Sequence, residues 1–210
     1  NLVFQINEGP RVHIERINIT GNIRTLDKVI RREMRLVEGD AFNTAKLRRS
    51  RQQIRRLGFF DKVDVAQKQG DTPDKAIIDV DVQERSTGEL SFGVGVSTTE
   101  TLVGDVSIRE RNLLGKAQDL RLTLGLSAIR QQLDLSFTEP YFLDRNLAAG
   151  FDIFSRKEDQ QDRSSFDEQA QGFSLRARFP ISEDLKQGLR YTLRSDKIEN
   201  INNSTSQFIR

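Results

Sequence analysis

The residue types that carry most enzyme chemistry are scarce in this chain. His13 is the only histidine and cysteine is absent, so no thiolate site, disulfide or Ser/His/Asp catalytic set can be placed. Two pairs of acids have metal-binding chemistry: Asp79 with Asp81, predicted on the outer side of a strand, and Asp159 with Asp162, predicted in a loop. A metal site at either pair is the less favoured interpretation. The sequence therefore predicts no catalytic residue, no metal site, no cofactor and a protein that is not an enzyme.

Five arginines crowd one predicted helix: Arg48, Arg49, Arg51, Arg55 and Arg56. Such a cluster is typical of a phosphate-binding helix, but no aromatic or base-reading residues lie between the arginines. The other interpretation is a solvated face whose arginine stems cover the edge of the core. We favour the solvated face, because acidic residues balance the domain and the net charge of the 210-residue chain is only +2. If this face binds a partner, we expect anionic lipid headgroups or an acidic protein rather than nucleic acid.

The strongest pattern is an alternation of apolar and small or charged residues that begins at Glu89. A period of two is the pleat of a β-strand, and runs of roughly 9–11 residues are long enough for tilted strands to cross a bilayer. Seven such runs follow one another, at 89–98, 102–111, 118–128, 132–139, 147–156, 169–179 and 186–197. This succession predicts antiparallel strands of a membrane barrel.

The two faces of these runs differ in chemistry. The predicted outward face is apolar, with Leu90, Phe92, Leu122 and Leu135 as examples. The predicted inward face carries full charges: Arg109, Arg121, Asp134, Asp152, Arg176, Arg178, Arg190 and Arg194. Any single strand of this kind also suits a soluble sandwich. Seven in a row would bury many charges without partners in a dry core, whereas a water-filled lumen accommodates them.

Composition is compatible with a barrel. The mean hydropathy is −0.57, but half of each barrel strand is polar and loops dilute the rest. No run of ~18 apolar residues predicts a transmembrane helix, and no signal peptide opens the chain. Leu2–Ile6 resembles the last strand of an upstream domain, so we expect a piece of a longer protein.

The first half predicts a small sheet with two helices on one face, in the order β-α-α-β-β. A first strand covers residues 11–20, with a phase slip that predicts either a bulge near Glu15 and Arg16 or a strand covered on both faces. Thr25 is the predicted N-cap of the first helix, Asn43 or Thr44 that of the second, and Gly58 ends the second helix. Two strands follow, at 59–67 and 75–84. The predicted domains are 1–9 (the end of a preceding domain), 10–86 and 87–210.

Several short motifs resemble a known family. The segments Gly21–Glu33, Glu38–Asp40, Lys46–Ser50 and Leu57–Phe60 resemble a polypeptide-transport-associated (POTRA) domain. Three further segments resemble the first barrel strands of the BamA family: Thr87–Gly95, Glu110–Gly115 and Phe137–Phe142. The order and spacing of these motifs cover nearly the whole chain. It is thus similar to a last POTRA domain followed by an incomplete barrel.

The resemblance implies a core component of the outer-membrane assembly machinery. Such a protein folds and inserts β-barrel proteins, works with periplasmic lipoproteins, contacts outer-membrane lipid and keeps its POTRA domain in the periplasm. Backbone edges would then do the work. A substrate strand could add to the POTRA sheet by β-augmentation along its predicted edge: Asp61, Lys62, Val63, Asp64, Val65, Ala66 and Gln67.

The first barrel strand is predicted to be one side of a seam that opens sideways and offers an unpaired edge. Its residues are Glu89, Leu90, Ser91, Phe92, Gly93, Val94, Gly95, Val96 and Ser97. Gly93 and Gly95 weaken strand packing; the alternative reason for glycine here is close packing of inward loops against the wall. Glu38, in a turn, is the predicted contact for an accessory lipoprotein.

Other functions stay open at this stage. The nearest is a two-partner secretion pore of the same superfamily, which would carry fewer POTRA domains. A passive porin or adhesin with a periplasmic plug, and a soluble two-domain protein, are the more distant alternatives. We also expect the 210 residues alone to associate through their strands, because two raw edges and an apolar face would be exposed.

Overall fold

The computed structural model describes residues 11–161, 166–182 and 185–201. The chain forms two compact units, Asn1–Thr87 with Leu114–Lys116, and Gly88–Leu113 with Ala117–Arg210. The predicted strand at Leu2–Ile6 and the predicted first domain, 1–9, lie outside the described residues. Within the described ranges, no helix is both long and apolar enough to cross a membrane.

The first unit has the predicted order of elements. These are β1 (His13–Thr20), α1 (Asp27–Arg31), α2 (Thr44–Arg56), β2 (Phe60–Gln69) and β3 (Lys75–Glu84). The sheet has the order β1-β3-β2, with β1 parallel and β2 antiparallel to the central strand. The register of β1 shifts between Ile14 and Arg16, which confirms the predicted bulge.

The bulge explains how both phases of β1 enter one core. Ile14 precedes it and Ile17 follows it, and both are buried. They pack in a core that is formed by one face of the sheet and the two helices: Val29, Ile30, Leu36, Ile54, Val63, Ile78 and Val80. The helices therefore cover one face of the sheet and leave its other face to solvent.

The two helix starts differ in how well the sequence predicted them. Asn43 is the N-cap of α2 and its Oδ1 accepts a hydrogen bond from Lys46 N at 3.0 Å, as predicted. The prediction for α1 is wrong, because its N-cap is Leu26 and not Thr25. The backbone N–H of Thr25 donates instead to Glu84 Oε1 at 2.7 Å, and its buried hydroxyl also bonds Glu84. Because Thr25 bonds Glu84, it does not cap the helix.

The described part of the second unit is a single antiparallel sheet of seven strands, in the order β10-β9-β8-β7-β6-β5-β4. The strands are β4 (Gly88–Ser97), β5 (Thr101–Leu113), β6 (Gln118–Ser127), β7 (Arg130–Glu139), β8 (Ala148–Asp159), β9 (Asp167–Pro180) and β10 (Lys186–Glu199). Every strand pairs with the next one in the chain. These bounds lie close to the seven predicted runs.

The register confirms that the apolar residues share one face. One continuous row crosses all seven strands: Leu90, Ile108, Leu122, Leu135, Ile153, Phe173 and Leu193. The neighbouring row on the opposite face is polar: Glu89, Arg109, Arg121, Ser136, Asp152, Ser174 and Thr192. The sheet therefore has one apolar face and one charged face, as a barrel wall requires.

Candidate functional site

Strand β4 lies at one edge of the seven-stranded sheet. In the described part of the chain it pairs only with β5, in a register that runs from Gly88 opposite Glu110 to Ser97 opposite Thr101. The predicted seam residues, Glu89–Ser97, all lie on this strand. The backbone groups on its other side are therefore available to a further strand.

Small residues make up the polar face of β4. Ser91, Gly93, Gly95 and Ser97 alternate along it, and Glu89 makes its one ion pair within the described residues, to Arg111 at 2.9 Å. A Cβ added at Gly95 would meet no described atom within 4 Å. After Glu89, the polar face of β4 therefore carries only serine and glycine residues.

The other face of β4 is apolar and unusually exposed. Phe92 is 72% exposed, Val94 83% and Val96 89%. An exposed apolar face of this extent is unfavourable in water and suits lipid or another apolar surface. Both the edge and the apolar face of β4 are thus open to a partner.

Away from β4, several charges of the polar face form ion pairs between neighbouring strands. Arg109 forms a bidentate pair with Asp119, its Nε lying 3.0 Å from Oδ1, and Asp134 bonds Arg156 at 3.2 Å. Asp152 on β8 forms an ion pair with Arg176 on β9, at 2.8 Å. Bidentate and charge-assisted bonds of this kind fix side chains in place. They tie neighbouring strands together along the wall.

Arg176 reaches further than its nearest strand. Its Nη2 donates to Ser136 Oγ at 3.0 Å and to Thr138 Oγ1 at 3.2 Å, both on β7. Between them lies Gly150 on β8, which pairs with both Arg176 and Thr138. A Cβ at Gly150 would lie 3.2 Å from Arg176 Nη2. The missing side chain lets the guanidinium cross one strand and bind the next.

In the first unit, the predicted augmentation residues Asp61–Gln67 lie on β2, which is an edge strand. Asp64 carries ion pairs with Lys62 at 3.1 Å and Arg51 at 2.9 Å. The hydrogen bond from Lys62 and the neighbouring cations hold the pKa of Asp64 below its ordinary value. The carboxylate therefore stays ionised at neutral pH on the open face of the sheet.

The arginine cluster of α2 divides into two groups. Arg48, Arg49 and Arg56 are exposed, as the solvated-face interpretation predicts. Arg51 and Arg55 instead turn to β2 and donate to the carbonyl oxygen of Val63, at 3.0 and 3.4 Å. Part of the cluster therefore fastens the helix to the edge strand.

Glu38 is half-exposed but engaged within the first unit. Its Oε1 accepts from the backbone N–H of Ile17 at 3.2 Å and from Arg31 Nη1 at 3.0 Å. The Ile17 bond, together with Arg31, lowers the pKa of Glu38. Through Oε1 the side chain thus holds the turn against β1.

The acid pairs do not gather into a metal site in the described residues. Asp79 bonds Asn18 at 2.8 Å and also Lys68, while Asp81 bonds Thr20 at 3.1 Å. Asp162 lies outside the described residues. Elsewhere in the described ranges, no group of three or more histidines and acids is placed to hold a metal ion.

Sequence reasoning missed three groups that hold this arrangement together. Glu84 binds the loop before α1, and Ser50 is a fully buried serine of α2. The passage of Arg176 over Gly150 is the third. A glycine placed opposite an arginine in the predicted register was a signal for the last of these. The first two are long-range contacts with no local sequence pattern.

Two family models match the sequence. A POTRA model, described as a surface antigen variable number repeat, matches residues 12–85, and the Omp85 superfamily domain matches residues 112–210. The outer membrane protein assembly factor BamA of Neisseria meningitidis serogroup B is 32% identical over 188 residues, or 87% of this chain. BamA of Nitratidesulfovibrio vulgaris is 32% identical over the full chain. The chain belongs to the BamA family.

A solved BamA-family structure supports the assignment. BamA from Haemophilus ducreyi lacking POTRA domains 1-3 superimposes with a TM-score of 0.79 at 29% identity, over 93% of this chain and 37% of that one. CdiB from Escherichia coli shares the fold, with a TM-score of 0.65 at 15% identity over 91% of this chain and 38% of that one. This chain spans 24% of the Neisseria BamA and 26% of the Nitratidesulfovibrio one. The first unit is a periplasmic POTRA domain, and the second contributes strands to an outer-membrane barrel.

Proposed function

We propose that the protein containing this chain folds other β-barrel proteins and inserts them into the outer membrane, without enzymatic chemistry. Strand β4 is the side of a seam that accepts an incoming strand. The serine and glycine composition of the polar face of β4 is the observation that carries the proposal, because a strand with few packing side chains pairs weakly and can give its edge to another strand. The relatives named BamA are assembly factors, which agrees with this role.

Two properties of β4 support a seam here rather than at another strand. Its polar face is built from serine and glycine, so an added strand meets no large side chains. The strands beyond it are joined by ion pairs, beginning with Arg109 on β5 and Asp119 on β6. Strand β4 would therefore separate from a partner strand more easily than the ion-paired strands beyond it separate from one another.

Strand β2 of the POTRA domain would act earlier, by pairing with unfolded client segments in the periplasm. Its edge position and the exposed residues of its second half, Ala66–Gln69, suit this step. The partners of the whole protein would be unfolded barrel proteins, periplasmic lipoproteins and outer-membrane lipid. Glu38 is the proposed contact for one such lipoprotein, and its charge reversal would separate the complex.

The test uses the full-length protein in liposomes, with a urea-unfolded barrel protein added and protease protection measured. Protected, heat-modifiable client that appears faster than in empty liposomes would establish assembly. If no client inserts, even with the accessory lipoproteins present, the proposal fails and a secretion pore of the same superfamily becomes the better account. Transport of one unfolded substrate across the liposome would then be the next measurement.

A further inference from the structure

Asp105 is an acid of the polar face that the sheet leaves unpaired. It lies on β5, opposite Gly93 on β4 and opposite Gly125 on β6. Within the described residues it has no hydrogen-bond or ion-pair partner, whereas Asp119, Asp134 and Asp152 each bond an arginine. Its side chain is exposed to solvent.

Glycines clear the space on both sides of this carboxylate. A Cβ at Gly125 would lie 2.8 Å from Asp105 Oδ1, and a Cβ at Gly93 would lie 3.9 Å from Oδ2. No added strand can approach from the β6 side, because Gly125 is buried there and β6 already pairs with β7. On the β4 side, Gly93 belongs to the edge strand. The open approach to Asp105 therefore passes over Gly93 from beyond the edge.

The same sheet shows how such an approach is used. Arg176 pairs with Gly150, passes over it and donates to Thr138 on the strand beyond, at 3.2 Å. On a strand paired with β4, a residue opposite Gly93 would lie one strand from Gly93 and two strands from Asp105. Arg176 has the same separation from Gly150 and Thr138. Inter-strand spacings are about 4.8 Å throughout sheets, so the two distances are alike. An arginine or lysine in that position reaches the carboxylate.

We propose that Asp105 selects the register of the incoming client strand, by binding an arginine or lysine that the client places opposite Gly93. The inference rests on the proposed function of β4 as the seam strand. Charge complementarity identifies the client side chain as a cation, because the open approach over Gly93 leads to the carboxylate of Asp105, which has no partner within the described residues. Backbone pairing alone does not distinguish registers that are two residues apart, because such a slip keeps every side chain on its own face and the polar face of β4 is mostly glycine and serine. A single ion pair would fix the alignment that the backbone does not.

The experiment uses the full-length protein with its lipoproteins in liposomes. A panel of otherwise identical clients carries one arginine at successive inward positions of the inserting strand, and a second panel carries glutamate there. With the parent protein, one arginine position should insert roughly two- to five-fold faster than its glutamate counterpart, the ratio expected of an exposed ion pair. Asp105→Asn should bring this ratio to one, and Asp105→Lys should invert it.

Matched glycine variants test the route. Gly93→Val covers the approach, and its Cβ makes only ordinary contacts with Asp105, the nearest at 3.7 Å. It should remove the arginine preference. Gly95→Val makes the same change two residues along the same face, and it should leave the ratio unchanged whatever it does to the overall rate. Equal loss of the ratio in both variants would overturn the proposed route.

The outcomes separate this inference from the function on which it rests. Insertion that proceeds at equal rates for both panels, in the parent and both Asp105 variants, overturns the inference and leaves the assembly role standing. Failure of every client to insert overturns both. If Asp105→Lys lowers the heat-modifiability temperature of the protein without client and no client preference exists, the occupant is the protein's own closing strand, and the inference is wrong.

Discussion

The guanidinium of Arg51 on α2 donates to the carbonyl oxygen of Val63 on β2 at 3.0 Å. Arg55 shares the same oxygen at 3.4 Å. Since β2 is an edge strand, an oxygen already held by two arginines is less available to an added strand. The first half of the POTRA edge is thus partly capped by its own helix, and its second half is not.

Client segments should therefore pair more readily with the second half of β2. Cysteine at Ala66 should trap a client cysteine more efficiently than cysteine at Lys62, which lies on the same face of the strand. Arg51→Ala should raise the yield at Lys62, because it frees the Val63 oxygen. Trapping would be measured by disulfide formation during assembly. Equal yields at both sites in the parent would show that the cap has no influence.

Ser50 should contribute more to stability than a serine normally does. It is fully buried, its Oγ accepts from Arg35 N at 2.8 Å and it donates to Lys46 O at 2.9 Å. Ser50→Ala would leave a buried N–H without its partner and lower the free energy of unfolding of the POTRA domain by about 1–3 kcal/mol. Chemical denaturation followed by circular dichroism measures this. Thr20→Val, at an exposed hydroxyl, is the control and should change the free energy by less than about 0.5 kcal/mol.

The POTRA domain should lose stability in acid through Glu84. Burial raises the pKa of Glu84, but hydrogen bonds from Thr25 and from the backbone N–H of Arg24 outweigh it and lower the pKa below 4.5. A carboxylate with a depressed folded pKa stabilises the fold above its unfolded pKa, and that contribution disappears as the pH falls through the folded pKa.

Glu84→Gln should consequently lower the unfolding free energy at about pH 7 and have less effect at about pH 3. Chemical denaturation of the parent and the variant at both values measures the difference. A variant whose deficit is the same at both pH values would show that the ionised carboxylate is not what holds the loop.

Gly150 should resist substitution more than a glycine with open space around its Cα, such as Gly188. A Cβ there would lie 2.5 Å from Phe137 O and would also press on Arg176 Nη2. Gly150→Ala should destabilise the barrel by about 1–3 kcal/mol, because the backbone or the arginine must move. The readout is the temperature at which heat-modifiability is lost. Gly188→Ala, with no described atom within 4 Å of its Cβ, is the matched control and should leave that temperature nearly unchanged.

Periodicity accounts for how much of this fold was predictable. The pleat of a strand appears directly in the sequence, so the seven runs and the shared apolar face, from Leu90 to Leu193, emerge without a structure. The bulge near Glu15 did so as well, since it shifts the phase. Local cap chemistry likewise identified Asn43.

Contacts between distant residues were not predictable in this way. Thr25 has the chemistry of a cap, but Glu84, which is far along the chain, takes its hydrogen bonds. Arg51 has the composition of a solvated face and instead binds β2. Asp105 becomes distinctive only when the register shows Gly93 and Gly125 on either side of it. Each depends on pairing, which composition does not encode.

The edge of β4 is the centre of this account, and a reversible lock tests it most directly. In the full-length protein, one cysteine on β4 and one on the strand that closes the barrel against it would form a disulfide across the seam. The liposome assay with an unfolded client would be run oxidised and then reduced. The account predicts that the oxidised protein inserts no client above empty liposomes and that reduction restores insertion. Undiminished insertion by the fully oxidised protein would contradict it.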